Sequence, residues 1–248
     1  MDHPSKRLFP ELAVGGYTRI DHAVDFYVRV DSLLTPDSVV VDFGAGRGRV
    51  MEGPDTFRQR IRIFKGRVRH VIGVDVDPVV LENRSVDQAV VWRPGTPIDL
   101  PDESVDIVVS DFTFEHIEDP APVEQELGRI LKPGGWICAR TPNRWGYIAV
   151  AARLIPRRWH AAVLSQTQSW REERDIFPTR YRLNTRRSVR RVFPAPTWEV
   201  YVYTTTGEPT YTGRWAWSYY LSYQVMRLLP QPFREMHLFF IRKNASPD

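Results

Sequence analysis

The glycine-rich segment at residues 42–48 holds the residues of this chain best suited to chemistry. It reads Asp-Phe-Gly-Ala-Gly-Arg-Gly and follows the apolar run Val39-Val40-Val41. A β-branched run of this kind predicts a buried parallel strand. Glycine adopts positive φ at little cost and has no Cβ, so the chain after the strand can approach a ligand closely. Its amide N–H groups can then point at a polar or anionic ligand group.

Three further segments follow this one in order. A second strand, His70 to Asp75, again ends in an acid, and residues 100–120 run into and out of a fourth strand and end in Glu115-His116-Ile-Glu-Asp-Pro. After Leu131, the residues Lys132-Pro-Gly-Gly are predicted to be a turn, and they precede a fifth strand at 136–140. A third short strand is predicted at 89–92. Strands that alternate with helical stretches indicate βαβ units and a largely parallel sheet.

Together these four segments resemble the motifs of class I S-adenosylmethionine (SAM) dependent methyltransferases of the small-molecule, bacterial type. The resemblance covers about residues 38–143. It implies that the glycine segment surrounds the methionine part of SAM and that Asp75 accepts hydrogen bonds from the ribose hydroxyls. The cofactor-binding residues implied in this way are Asp42, Gly44, Ala45, Gly46, Gly48, Asp75, Val76, Thr96, Asp111 and Phe112.

Two departures from the family pattern are visible. Asp42 and Asp75 are farther apart than the roughly 20 positions of a dinucleotide-binding unit, which predicts a short insertion around residues 53–68. The family often places an acid near the third strand to bind the adenine amino group, and here Gly95-Thr96-Pro97 stands there. Thr96, Asp99 or a backbone group would then take that role.

The glycine spacing also bears on a different cofactor. A dinucleotide-binding turn requires G-x-G-x-x-G, and Arg49 stands where its third glycine would be. An NAD(P)-dependent oxidoreductase is therefore disfavoured. A non-catalytic SAM-binding or regulatory protein that has kept the fold remains a second alternative to the enzyme.

The sequence predicts one α/β domain over residues 1–248, a doubly wound, Rossmann-like, seven-stranded and mostly parallel sheet. Its SAM-binding half would span about 19–143, beginning with an amphipathic helix at 19–34. An Arg-rich insertion would follow the fifth strand at about 144–194, and C-terminal strands with an aromatic helix would occupy about 195–243. The resemblance implies that the last strand is antiparallel.

Composition bounds the compartment and the cofactors. The chain has 248 residues, one cysteine and a formal net charge of +4. A lone Cys138 excludes an internal disulfide framework and a cysteine-rich zinc site, and no metal is expected. No apolar stretch approaches the ~20 residues of a membrane span, and no signal peptide is expected, so the predicted location is the cytoplasm.

Arginines concentrate in the predicted insertion. Between Arg153 and Arg191 there are eleven of them against three acidic residues. Such a segment either attracts an anionic partner or forms a solvated face paired with carboxylates elsewhere. Because arginine forks bind phosphate and carboxylate, we expect an anionic acceptor such as a sugar or glycan precursor. The expected acceptor-binding residues are Tyr147, Arg171, Arg174, Tyr181 and Arg182.

Methyl transfer from a sulfonium is an in-line displacement, so much of the catalysis comes from positioning. A hydroxyl acceptor would benefit from a general base. The candidates are His116 and His160, each of which has a purely structural role as its alternative. The segment after the fourth strand lacks the proline pair of nucleic-acid amino methyltransferases, and Cys138 lies mid-strand, which argues against nucleic acid. We expect O-methylation of a small or medium acceptor.

The aromatic helix at 214–229 allows several interpretations. It carries two cations and is apolar on most sides. It could lie at a membrane surface. The preferred interpretations are that it packs on the sheet, lines the acceptor pocket or forms a homodimer contact.

Overall fold

The protein is described here by a computed structural model that covers residues 4–53, 55–147, 149–150, 178–209 and 216–245. One sheet of seven strands forms its centre, in the order β3-β2-β1-β4-β5-β7-β6. The strands are β1 (Val39–Phe43), β2 (His70–Asp75), β3 (Gln88–Val91), β4 (Val105–Asp111), β5 (Leu131–Pro142), β6 (Trp198–Thr205) and β7 (Met236–Lys243). The expected seven-stranded, mostly parallel sheet is therefore confirmed.

The strand directions bring the functional segments to one edge. Strands β1 to β5 are parallel to one another, and β7 runs antiparallel to both β5 and β6. The antiparallel last strand is thus confirmed. Because the carboxyl ends of β1, β2 and β4 share an edge, Asp42, Asp75 and Asp111 converge there. This is the edge where open α/β sheets bind ligands.

Helices cover both faces of the sheet. On one face lie α2 (His22–Asp31) and the short α3 (Phe57–Arg60), and on the other lie α4 (Pro120–Ile130) and α5 (Arg186–Val192), each with apolar side chains in a separate core cluster. The remaining helices are α1 (Pro4–Leu8) and α6 (Ala216–Leu228). The layering is that of an α/β/α sandwich.

Helix α2 has a well-defined start, because the Asp21 carboxylate accepts hydrogen bonds from the amides of Ala23 and Val24 at 2.8 and 3.1 Å. Such a cap typically contributes about 1 kcal/mol. It fixes the first turn of α2, and this turn carries His22 at the site edge.

The connections between the first four strands are less helical than the sequence predicts. After β1 there is a 3-10 turn, Arg49–Glu52, and then only the four residues of α3, where a full helical stretch was expected. After β2 there is a 3-10 turn, Pro78–Glu82, and residues 92–104 contain no helix. Prolines explain the last case: positions 94, 97 and 101 are all proline, which removes donors and disfavours helical backbone at the residue before each.

Strand β5 begins earlier than predicted. Leu131 pairs with Val105, and the pairing resumes at Ile107 with Trp136, so the predicted turn at 132–135 is a bulge within the strand. Gly134 supplies positive φ there, at +81°. At Gly135 a Cβ would lie 2.9 Å from the Asp106 carbonyl oxygen, so the bulge leaves no room for a side chain.

Helix α6 packs by one face only. It buries Tyr219 and Met226, while Trp217, Leu221 and Leu228 on the opposite face are exposed. Within the residues that the structure describes, no helix has the length and apolar character that a membrane crossing requires.

Candidate active site

The glycine segment forms a tight turn between β1 and the first crossover. Gly44, Gly46 and Gly48 all have positive φ, at +81°, +52° and +76°. A Cβ on Gly44 would lie 2.0 Å from Thr113 Oγ1, whereas a Cβ on Gly46 would meet nothing within 4 Å. Gly44 is therefore needed for packing, and the space in front of Gly46 is open to a ligand.

Asp75 holds this turn and keeps capacity to bind more. Its Oδ2 accepts from the Gly46 amide at 2.8 Å, and its Oδ1 accepts from the Asp77 amide at 2.9 Å. An ionised carboxylate offers about four lone pairs, so each oxygen can still accept one hydroxyl of a ribose diol. Val76 beside it exposes an apolar surface, 52% accessible.

Three carboxylates, Asp42, Asp75 and Asp111, share this edge with the guanidinium groups of Arg62 and Arg140. Burial is the main reason that the pKa of Asp42 rises to about 7, and the negative charges of Asp111 and Asp75 raise it further while Arg62 opposes them. A cationic ligand beside Asp42 would offset this repulsion, whereas a diphosphate would increase it. The site therefore favours a ligand with an ammonium or sulfonium group over a dinucleotide.

Asp111, at the end of β4, is bound by the side chain of Arg140. The guanidinium donates from Nε to Oδ1 and from Nη2 to Oδ2, both at 2.7 Å. Tyr27 donates its hydroxyl to Oδ2 at 3.0 Å, and Arg62 Nη2 lies 3.4 Å from the same oxygen. Although burial works against ionisation, the Arg140 and Arg62 charges keep the pKa of Asp111 below its ordinary value. The carboxylate is a fixed negative charge at the floor of the site.

A line of polar contacts continues from Arg140 across the sheet edge. Arg140 Nη1 lies 2.9 Å from His22 Nδ1, and His22 Nε2 lies 3.4 Å from Glu235 Oε1. Since a guanidinium only donates, Nδ1 accepts and the ring proton is on Nε2, facing the carboxylate. Tyr147 donates to the other oxygen, Glu235 Oε2, at 3.1 Å. These contacts connect the end of β4 to the start of β7.

Phe112, directly after β4, lies under the same guanidinium. Its φ is +58°, unusual for a residue with a side chain, and its amide donates to the Arg140 carbonyl at 2.9 Å. The Arg140 Cζ is 4.8 Å from the centre of the Phe112 ring. Backbone held in a sparsely populated region is common at functional sites.

The structure brings some of the predicted acceptor-side residues together. The carbonyl of Glu115 accepts from the amides of both Arg180 and Tyr181, and His116 Nδ1 lies 3.2 Å from the Pro178 carbonyl oxygen. Asn184 donates to Thr141 Oγ1 at 2.6 Å and anchors the same segment on β5. His116 and Tyr181 therefore lie on adjoining segments beside the ends of β4 and β5.

Other predicted residues lie elsewhere. Arg182 is exposed, and Tyr147 lies by Glu235 and α6, with its hydroxyl 3.4 Å from Met226 Sδ. Thr96 is exposed and donates its hydroxyl to the Arg93 carbonyl at 2.7 Å. Arg171, Arg174 and His160 lie outside the described residues, so their roles stay predictions.

The residues present fit SAM. The open space before Gly46 can admit a ligand backbone, and Asp75 retains acceptors for a ribose. Arg62 Nε is a buried donor with no hydrogen-bond partner among the described residues, and it could bind the methionine carboxylate. The acids Asp42 and Asp111 complement the cationic groups of SAM. When bound, SAM would supply an electrophilic methyl group at this edge.

Comparison with known proteins agrees with this fit. Residues 41–139 match the family model "Methyltransferase domain". A probable SAM-dependent methyltransferase of Mycolicibacterium smegmatis is 40% identical over 79 residues, which cover 31% of each chain. A ubiquinone biosynthesis O-methyltransferase of Nitrosomonas europaea is 27% identical over 143 residues, covering 50% of this chain and 55% of that protein. The chain thus spans only about a third to a half of these curated relatives.

The fold comparison covers nearly the whole chain. The crystal structure of a SAM-dependent methyltransferase from Aquifex aeolicus superposes with a TM-score of 0.51 at 15% identity, covering 98% of this chain and 100% of that one. This likeness concerns the fold. The family match places a methyltransferase domain at residues 41–139, and the methyltransferases that the chain resembles use SAM as their cofactor.

Sequence reasoning missed four residues of the site: Tyr27, Arg62, His22 and Glu235. Nothing in their local patterns distinguishes them from ordinary helix, loop and strand residues. Arg140 did offer a signal, because it is a charged residue within an apolar strand that is buried in the sheet. A charge in such a place needs a partner.

Proposed function

We propose that this protein transfers a methyl group from SAM to a small or medium acceptor, on oxygen, and that the acceptor is anionic. The observation that carries the proposal is the convergence of Asp42, Asp75 and Asp111 around an open glycine turn. This arrangement suits a cofactor that is both a nucleoside and a cation. The similarity to an O-methyltransferase in ubiquinone biosynthesis favours oxygen as the acceptor atom.

Positioning would supply most of the rate. A glycine turn held by Asp75 and a carboxylate fixed by Arg140 would hold the cofactor, which would supply the methyl group. An in-line displacement with a neutral leaving group needs little more than this alignment and the exclusion of water. Phe112 would form part of the apolar wall beside the reacting atoms.

His116 is the favoured general base. Its Nδ1 lies 3.2 Å from the Pro178 carbonyl oxygen, and a carbonyl can only accept. The ring proton is therefore placed on Nδ1 in the neutral imidazole, and Nε2 carries the lone pair that a base needs. A base in this position would take the hydroxyl proton as the methyl–oxygen bond forms.

The test is turnover of SAM to S-adenosylhomocysteine, screened across pools of hydroxylated acceptors with and without phosphate or carboxylate groups. Wild type is expected to turn over with an anionic pool. His116→Gln should lose about 10²- to 10⁴-fold in rate and keep its SAM affinity, while the matched control His70→Gln, at the start of β2, should behave as wild type. SAM binding without turnover in any pool would instead support the regulatory alternative.

The anionic character of the acceptor has its own test. The triple variant Arg171→Ala, Arg174→Ala and Arg182→Ala is expected to weaken acceptor binding and leave SAM binding intact. Unchanged acceptor binding would remove these arginines from the proposal.

Two further features bear on the setting of the protein. The sequence has a single cysteine, Cys138, and burial raises the pKa of its thiol. Because a chain with one cysteine suits a reducing compartment, we place the protein in the cytoplasm.

The exposed face of α6, with Trp217, Leu221 and Leu228, is the surface that a homodimer would use. Sedimentation of wild type and Leu221→Glu would test this, since only a dimer would be dissociated by the charge.

A further inference from the structure

A cavity of about 290 Å³ lies at the cofactor edge of the sheet, beyond the predicted acceptor residues. Its walls come from the start of α2, the end of β6, the turn before β7 and helix α6. Among its lining residues are three arginines, Arg19, Arg227 and Arg234, together with His22, Thr205 and Thr206. None of the arginines was singled out by the sequence.

Two of these guanidinium groups have no carboxylate partner among the residues that the structure describes. Arg227 is exposed, and neither it nor Arg234 forms a salt bridge with any residue in the described part of the chain. Within the described residues, the Arg234 guanidinium makes one long contact, 3.4 Å from Nη1 to the Thr204 carbonyl oxygen. Asp25 also lines the cavity, but Arg29 at 3.2 Å and the Tyr203 hydroxyl at 2.8 Å already bind its carboxylate. The cavity is therefore left with excess positive charge.

A neighbouring cavity shows the contrast. It measures about 140 Å³, shares His22 and is lined by three acids, Asp21, Glu208 and Glu235, against one arginine, Arg58. The two cavities lie side by side with opposite charge. The larger cavity is therefore the one whose charge suits an anion.

The sheet register relates the larger cavity to the site of methyl transfer. Asp111 pairs with Arg140 across β4 and β5, and both Pro142 of β5 and Thr205 of β6 pair with Met236 of β7. Thr205 is thus three strands from Asp111 along the same edge, roughly 14 Å at ~4.8 Å per strand. His22 lines the cavity and also contacts Arg140, so the two places are continuous.

We propose that this cavity binds a phosphate or diphosphate group of the acceptor, roughly 14 Å from Asp111 at ~4.8 Å per strand crossed. The proposal rests on the proposed function, because it locates one part of that acceptor. Arginine forks and threonine hydroxyls together donate to several oxygens of a phosphoryl group. The acceptor would therefore be an extended molecule with its phosphate at one end and its methylated hydroxyl at the other.

Inorganic pyrophosphate titrated into the full chain by calorimetry tests the proposal. Wild type should bind it, and the double variant Arg227→Ala/Arg234→Ala should bind about 100-fold more weakly, tenfold for each charged contact. Arg69→Ala is the matched control, since this exposed arginine precedes β2 at the opposite edge of the sheet. It should bind pyrophosphate as wild type does.

SAM titrations of the same proteins separate the two proposals. Equal SAM affinity in all variants shows that the double variant is folded, and Arg227→Glu should then abolish pyrophosphate binding. Pyrophosphate affinity that is equal in the double variant and Arg69→Ala overturns the cavity assignment. If SAM fails to bind while pyrophosphate binding follows the pattern above, the proposed function fails and the anion site stands.

Discussion

Arg140 lies directly beside Asp111 in the β4–β5 register and binds its carboxylate through two hydrogen bonds of 2.7 Å. The guanidinium side chain is only 4% exposed and the carboxylate side chain 11%. A bidentate pair in a place so poorly solvated fixes the position of a negative charge. It also makes each partner dependent on the other.

Arg140→Met should therefore be strongly destabilising. It would leave the Asp111 carboxylate buried without its partner, at a cost of about 3–5 kcal/mol. Arg140→Lys keeps the charge and loses the fork, so we expect a smaller cost of about 1–3 kcal/mol and weaker SAM binding. Urea unfolding measures both. Arg60→Lys, in the exposed pair with Asp55, should change stability by less than about 1 kcal/mol, and an equal effect of the two lysine variants would count against the role given to Arg140.

Asp42 should make SAM binding release a proton. Its pKa is raised to about 7 in the free protein, so it is largely protonated at pH 6, and a cationic ligand favours the ionised form. We expect SAM affinity to rise as pH increases through about 7. Calorimetry at pH 6 in buffers of different ionisation enthalpy would count the released proton, and Asp42→Asn should remove it. Buffer-independent heats in wild type would contradict this expectation.

The same shift predicts how stability depends on pH without ligand. A carboxyl whose folded pKa lies above its unfolded value of about 3.9 binds more protons when folded, between roughly pH 4 and 7. Its contribution to stability is present at low pH and is lost as pH rises through about 7. Comparing wild type with Asp42→Asn by thermal unfolding between pH 5 and 8 isolates the contribution of Asp42 to stability. If the difference in stability between the two proteins stays constant over this pH range, the pKa of Asp42 is not raised.

His237 should make stability depend on pH in the opposite direction from Asp42. It is buried on β7, and burial is the main reason that its pKa falls to about 4, with Arg186 adding to the effect. The unfolded chain binds a proton near pH 6.5 and the folded chain does not. Stability should therefore fall as pH drops from about 6.5 toward 4. His237→Leu should lessen that fall, and an identical acid profile for the variant would show that another group is responsible.

Three glycine-to-alanine variants can separate strain from ligand contact. Gly44→Ala should destabilise the fold, because its Cβ would meet Thr113 Oγ1 at 2.0 Å. Gly46→Ala and Gly66→Ala each place alanine at positive φ in open space, and each should cost about 1–2 kcal/mol. Only Gly46→Ala should also lose SAM affinity, because its methyl group would fill the cofactor space. If Gly46→Ala and Gly66→Ala bound SAM equally well, the space before Gly46 would not be the cofactor site.

The sequence indicated the sheet well and the connections poorly. Strand β2 was predicted with its observed bounds, and strands β1 and β3 were predicted to within about two residues, because apolar runs are strong local signals. The helices expected after β1 and β2 are short, and the turn at 132–135 is a bulge. Proline and glycine there leave several conformations open, and pairing across the sheet selects one.

The residues of the candidate site also fall into two groups, those that the sequence predicted and those that it did not. Asp42, Asp75 and Asp111 could be placed from motifs, since each follows a strand that ends at one edge. Tyr27, His22 and Glu235 could not, because they reach the site from α2 and from the start of β7, far apart in the chain. Their contacts are a product of tertiary packing, for which a single sequence carries no spacing signal.

The most direct test of the central claim, that the glycine turn and Asp75 form a SAM site, is calorimetric titration of SAM and NADH into wild type, Asp75→Asn and Asp75→Ala. Wild type should bind SAM and not NADH, and Asp75→Ala should bind SAM at least about tenfold more weakly, as the loss of a charge-assisted contact implies. Asp75→Asn, which keeps one acceptor oxygen, should lie between them. Equal SAM affinity in all three proteins, or binding of NADH in place of SAM, would contradict it.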